Sequence, residues 1–115
     1  MDSLTFDAEG YLKNLDAWNE NVALEIAKQE NIQLTPAHWE IIKLTRKFYA
    51  RHQLSPATRA LVSLIKRELG PKKGRSVYLM KLFSGTPAKI VSKVSGLPKP
   101  DNLTVSLLIR ESLIS

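Results

Sequence analysis

Apolar residues recur along this chain at spacings of three and four, the period of a helix lying on a core. Trp18, Val22, Ala23, Ile26 and Ala27 share one face, while Glu20, Glu25, Lys28 and Glu30 take the other. The pattern predicts a helix capped by Asp16 and running to about Asn31. Thr35-Pro36 is a start signal, because a side-chain oxygen caps free N–H groups and proline suits the first helical position. A helix from Pro36 to about Arg51 follows, with Trp39, Ile42, Phe48 and Tyr49 facing inward. Ser55-Pro56 repeats the signal and opens a helix to Leu69, which Gly70-Pro71 stops. The short connection between the two suits a helix-turn-helix corner. Ser76 is placed to cap a helix through Phe83, and Pro87 to begin one that Gly96 ends. Leu97-Pro98-Lys99-Pro100 reads as extended, since each proline restricts the residue before it. From Asp101 to Ser115 an apolar tail carries Leu103, Val105, Leu107, Leu108, Ile109, Leu113 and Ile114, a helix candidate weakened by its β-branched residues. At the front, the residues from Phe6 to Leu12 around Gly10 suggest a short hairpin or turn. The expected fold is all-α with a small hairpin at its front.

Length and composition narrow the function. The 115 residues suit one domain. No apolar run reaches the roughly 20 residues of a membrane span, and the acidic N-terminus lacks a signal-peptide pattern, so a cytoplasmic protein with no membrane partner is expected. There is no cysteine, which excludes disulfides, thiolate metal sites and a persulfide on this chain's own side chains. His38 and His52 are the only histidines and form no metal-ligand set. No carboxylate pair, phosphate loop or nucleophile elbow stands out. The expectations are no metal, no cofactor and no enzymatic activity.

Charge is distributed unevenly. Residues 1–42 carry a net −6, and residues 43–115 a net +12. The cations fall late in the second helix (Arg46, Lys47, Arg51), in the third (Arg59, Lys66, Arg67), in the loop after it (Lys72, Lys73, Arg75), and onward at Lys81, Lys89, Lys93 and Lys99. Such a set is either a solvated surface or, if it converges, a groove for phosphates or an acidic protein face. A nucleic-acid-binding regulator using the helix-turn-helix-like region is therefore an alternative function. It would be a sequence-tolerant one, because few residues there besides Arg59 and Thr58 can read bases.

Several stretches, in order, resemble the DsrC/TusE family, also called the gamma subunit of dissimilatory sulfite reductase. They are Asp7-Ala8-Glu9-Gly10-Tyr11-Leu12, Trp18, the run from Ile32 to Glu40, Arg46-Lys47-Phe48-Tyr49, Ser55-Pro56-Ala57-Thr58-Arg59, the run from Tyr78 to Phe83, and Gly96-Leu97-Pro98-Lys99-Pro100. The resemblance implies a small orthogonal helical bundle with an N-terminal β-hairpin, a helix-turn-helix-like element and a C-terminal arm, here residues 1–100 and 101–115. It also implies a sulfur-carrying cysteine three residues after the second proline of Pro-Lys-Pro, and in DsrC proteins a second one eleven residues upstream. TusE proteins use the first in the relay that thiolates tRNA; DsrC proteins take sulfur from sulfite reductase. Here those positions hold Leu103 and Ser92. The expected role is thus docking or regulation of a sulfur-relay or sulfite-reductase-type complex. Arg46, Arg59, Lys72, Lys73, Arg75, Lys81 and Lys99 are the candidate partner- or anion-binding residues. The apolar tail makes self-association a further expectation.

Overall fold

A computed structural model describes residues 5–100. It contains a 3₁₀ turn at Leu15–Ala17 and five helices: α1 (Glu20–Gln29), α2 (Pro36–His52), α3 (Thr58–Leu69), α4 (Ser76–Phe83) and α5 (Pro87–Val94). α5 packs against each of the other four. It can hold the centre because its faces are small and apolar: Ala88, Ile90, Val91 and Val94 are all buried. Around it lie Val22, Ala23, Ile26 and Ala27 from α1, Ile41 and Ile42 from α2, Leu61 and Ile65 from α3, and Leu79 and Phe83 from α4. Trp18, Trp39, Tyr78 and Leu82 cover this core as half-buried flanks, whereas Phe48 pairs with the His52 ring nearer the surface. None of these helices is long and apolar enough to cross a membrane.

The helices fall where the hydrophobic period placed them, but several start signals act differently. α1 is capped by Asn19, whose side-chain oxygen accepts from Val22 N–H at 3.0 Å, while Asp16 sits in the preceding 3₁₀ turn. α3 starts at Thr58 because the Ser55 hydroxyl is committed elsewhere, donating to the Pro98 carbonyl. Ser76 is the first residue of α4 rather than its cap.

The expected N-terminal β-hairpin does not form. Phe6 and Leu12 make one isolated antiparallel bridge, and no strand occurs among the described residues. Backbone bonds cross from Asp7 N–H to Tyr11 O and from Lys13 N–H to Thr5 O, both at 2.8 Å. The Asp7 carboxylate, however, accepts from the N–H groups of Glu9 and Tyr11, both at 2.9 Å, so the Tyr11 N–H goes to the turn and not to a ladder. The C-terminal arm, with Leu103, lies outside the described residues.

α5 ends in a full Schellman motif, with Gly96 N–H bonded to Lys93 O at 3.1 Å and Leu97 N–H to Ser92 O at 2.9 Å. Gly96 has φ +71°, and the Leu97–Pro100 stretch that follows stays on the bundle, with Leu97 buried and the Pro98 carbonyl held by Ser55. His38, which the sequence allows as a surface or partly buried helix residue, is buried. Its Nδ1 accepts from Thr35 N–H at 3.0 Å, so Nε2 donates to the Leu82 carbonyl at 2.7 Å. Its ring meets Phe83 edge-on, tying the start of α2 to the end of α4.

Tyr11 is also buried, under the Lys93 ammonium. Burial, then the carboxylates of Glu9, Asp7 and Glu30, push its phenol up to about 12. The folded state therefore holds this proton after the unfolded chain, titrating near 10, has lost it. Stability is expected to fall as pH rises from about 10 to about 12. Urea midpoints across that window should show a decline that Tyr11→Phe reduces; an unchanged decline would place its cause elsewhere.

Candidate cationic docking site

Folding consumes much of the charge asymmetry. Glu9 meets Lys99 at 2.8 Å, Glu30 meets Lys93 at 3.1 Å, and Glu40 meets Lys73 at 2.8 Å. In each pair an acid of the N-terminal segment neutralises a cation of the C-terminal one. The Glu40 hydrogen bond also holds the Lys73 ammonium above its ordinary pKa. Lys73 and Lys99 thus reach solvent but are already partnered.

Arg46 is not a surface cation either. It is half-buried, its guanidinium carbon lies 3.9 Å above the centre of the Trp18 ring, and it donates to the Ser95 carbonyl. That carbonyl is at the C-terminal end of α5, where a cation opposes the helix dipole. Trp18 in turn donates from Nε1 to Val94 O at 2.8 Å. Burial lowers the Arg46 pKa from its usual value, but a guanidinium stays charged. The residue works as a clamp between α2 and the end of α5.

The remaining candidates, Arg59, Lys72, Arg75 and Lys81, are exposed, and no ion pair holds any of them among the described residues. Gly74 places the loop that carries two of them. A Cβ there would lie 2.3 Å from Lys66 Cβ, so only glycine lets the loop press onto α3 and deliver Arg75 to the start of α4. Arg59 and Lys89 line a groove of about 580 Å³ between the beginnings of α3, α4 and α5, and Pro100 stands at its edge. Lys89 was one of many cations in the sequence; its pairing with Arg59 across 30 positions had no local signal. A second, smaller cleft of about 220 Å³ lies between α2 and α3, with Lys47, Arg51, Phe48 and His52 in its lining. Among the described residues no group of His, Asp and Glu could hold a metal ion.

The family resemblance implies that Ser92 stands at the upstream cysteine position. Ser92 is completely buried on α5, and its hydroxyl has no hydrogen-bond partner among the described residues; the buried Ser95 hydroxyl, at the C-cap, has none among them either. An unpaired buried hydroxyl costs about 1 kcal/mol or more, so Ser92→Ala is expected to stabilise the fold by roughly 1 kcal/mol. A urea midpoint that falls in this variant would show that the hydroxyl has a partner.

The family described as "DsrC like protein" matches residues 1–103. "Sulfurtransferase TusE" of Photorhabdus laumondii is 52% identical over 94 residues, 82% of this chain and 85% of that protein. The Escherichia coli K12 protein of the same name is 47% identical, covering 82% of this chain and 86% of its own. Among solved structures, Allochromatium vinosum DsrC is similar with a TM-score of 0.80 and 44% identity, covering 86% of this chain and 88% of its own. The oxidized gamma-subunit of the dissimilatory sulfite reductase (DsrC) from Archaeoglobus fulgidus follows with a TM-score of 0.75 and 36% identity, over 84% of this chain and 89% of its own. These relatives correct the expectation that the chain has no place among enzymes, since proteins about half identical to it are named sulfurtransferases. Lacking a thiol decides which group can carry sulfur; it does not decide whether a chain takes part in the transfer.

Proposed function

The chain belongs to the DsrC-like family, and on that premise we propose that it serves sulfur transfer by docking to a partner protein that supplies the sulfur-bearing thiol. The observation that carries this reading is the contrast between the two kinds of position. Where the family resemblance expects cysteine, the chain has Leu103 and Ser92, of which Ser92 is buried, and no cysteine occurs among its 115 residues. A hydroxyl ionises far less readily than a thiol and forms no persulfide. The cations Arg59, Lys72, Arg75 and Lys81, by contrast, stay exposed and unpaired among the described residues. Opposite charge speeds encounter and fixes orientation, and that is what a docking component contributes.

The partner is a sulfur-relay protein or a sulfite-reductase-type subunit. The test is affinity capture from the native lysate at low salt, with and without nuclease, with the bound proteins identified. Sulfur-transfer proteins should survive nuclease and elute as salt rises. Proteins that vanish on digestion, leaving nucleic acid in the untreated half, would overturn docking in favour of a nucleic-acid regulator. A sulfur label passed to the captured partners and found covalently on this chain would overturn the thiol assignment.

A further inference from the structure

The groove between α3, α4 and α5 has a composition that specifies its occupant. Among the described residues its lining holds two cations, Arg59 and Lys89, and no carboxylate. Both are exposed, and neither is in an ion pair among the described residues. Met80, 47% exposed, shares the lining and offers an apolar contact. The three helices beginning here have Ala57, Arg75 and Thr86 at their N-caps. None makes a side-chain cap bond, and none is followed by an acid in the first turn. α1, elsewhere, has both: Asn19 as cap and Glu20 after it. The first N–H groups of α3, α4 and α5 therefore lack acceptors within their helices and add positive potential to that of the two side chains.

A site of this kind attracts anions, and its shape selects among them. At about 580 Å³ it exceeds a single oxyanion. Among the described residues it contains no aromatic side chain, so they offer nucleic-acid bases no platform to stack on. Cations and an exposed methionine in one groove fit a chain that carries both carboxylates and apolar side chains. Resting on the docking reading above, we infer that this groove receives an acidic, extended segment of the partner protein. Carboxylates meet Arg59, Lys89 and the helix starts, and an apolar side chain lies on Met80.

The test titrates the isotope-labelled full chain with a short synthetic peptide alternating glutamate and leucine, and separately with its lysine–leucine counterpart. Saturable amide shifts are expected at Thr58, Val77 and Lys89 for the acidic peptide alone. Arg59→Glu and Lys89→Glu should each weaken binding about tenfold or more while the rest of the spectrum stays native, because both side chains are exposed. Equal binding of the lysine peptide, no effect of the reversals, or shifts confined to the Lys47 and Arg51 cleft would overturn the inference. The same variants used in the lysate capture separate the two readings. A partner retained by Arg59→Glu and Lys89→Glu defeats the groove and leaves docking standing. Peptide binding at the groove with no sulfur-transfer partner captured defeats docking and leaves the groove as a peptide site.

Discussion

Gly96→Ala is expected to destabilise the fold by about 3 to 4 kcal/mol, through left-handed backbone strain together with overpacking. Gly96 has φ +71°, a region where a Cβ is itself unfavourable, and the added carbon would sit 2.3 Å from Trp18 Cδ1. Neither party can yield cheaply. The backbone is fixed by the two Schellman bonds, and the indole by its bond to Val94 O and the guanidinium above it. Folded domains have only about 5 to 15 kcal/mol in hand, so the urea midpoint should drop by a large fraction. Gly85→Ala is the control: an added Cβ there would meet nothing within 4 Å, and its φ is not positive, so a change within about 0.5 kcal/mol is expected. Trp18→Ala in the Gly96→Ala background should remove the two shortest contacts, to Cδ1 and Cγ, leaving Cβ at 2.9 Å, and make the double variant less unstable than the two losses summed. Additive losses would mean that the contact between glycine and indole is not what matters.

How well the sequence foretold these features depends on the range over which each is decided. Pro36, Gly70 and Gly96 act on the next few residues, through a fixed φ, a missing N–H or a left-handed turn, and helix limits near them are readable. The inward faces of α1, α3 and α5 are readable too, because burial repeats at the helical period. Misreadings arose where two local options competed. Asp16 and Asn19 can both cap, and Asn19 does. Asp7 could have stood in a hairpin strand, but its carboxylate instead bonds two backbone N–H groups and tightens the turn. His38 lies in the first turn of α2, where the helical period does not settle its burial, and only the return of α4 at Leu82 gives its Nε2 an acceptor.

The candidate site was legible as a population of cations and illegible as a surface. Lys73, Lys93 and Lys99 find their acids 33, 63 and 90 positions away. Such separations leave no periodic trace, so the net +12 of the C-terminal part overstates what remains for a partner. The Arg59 and Lys89 groove was hidden for the same reason: it exists because α5 packs centrally and brings its start beside those of α3 and α4. Composition counts charges, and topology decides which of them are still available.

Arg46 is where that distinction can be measured. Arg46→Ala is expected to cost about 3 kcal/mol, from a partly desolvated cation–π contact and a charged hydrogen bond lost together. Its carbonyl partner at Ser95 would be left at a helix end with no cation against it, and Trp18 would lose its cover. Arg46→Lys keeps the charge without the flat guanidinium that stacks on the ring, so an intermediate loss is expected. A double-mutant cycle with Trp18→Ala should return a coupling of about 1 kcal/mol. Partner capture gives the opposite pattern. Below the temperature at which Arg46→Ala unfolds, it should retain the partner as well as the parent chain does, while Arg59→Glu, on a fully native fold, should lose it. If Arg46→Ala proved stable yet failed to capture, the guanidinium would be reaching the partner from its place against Trp18, and the docking surface would have to extend from α3 across α2.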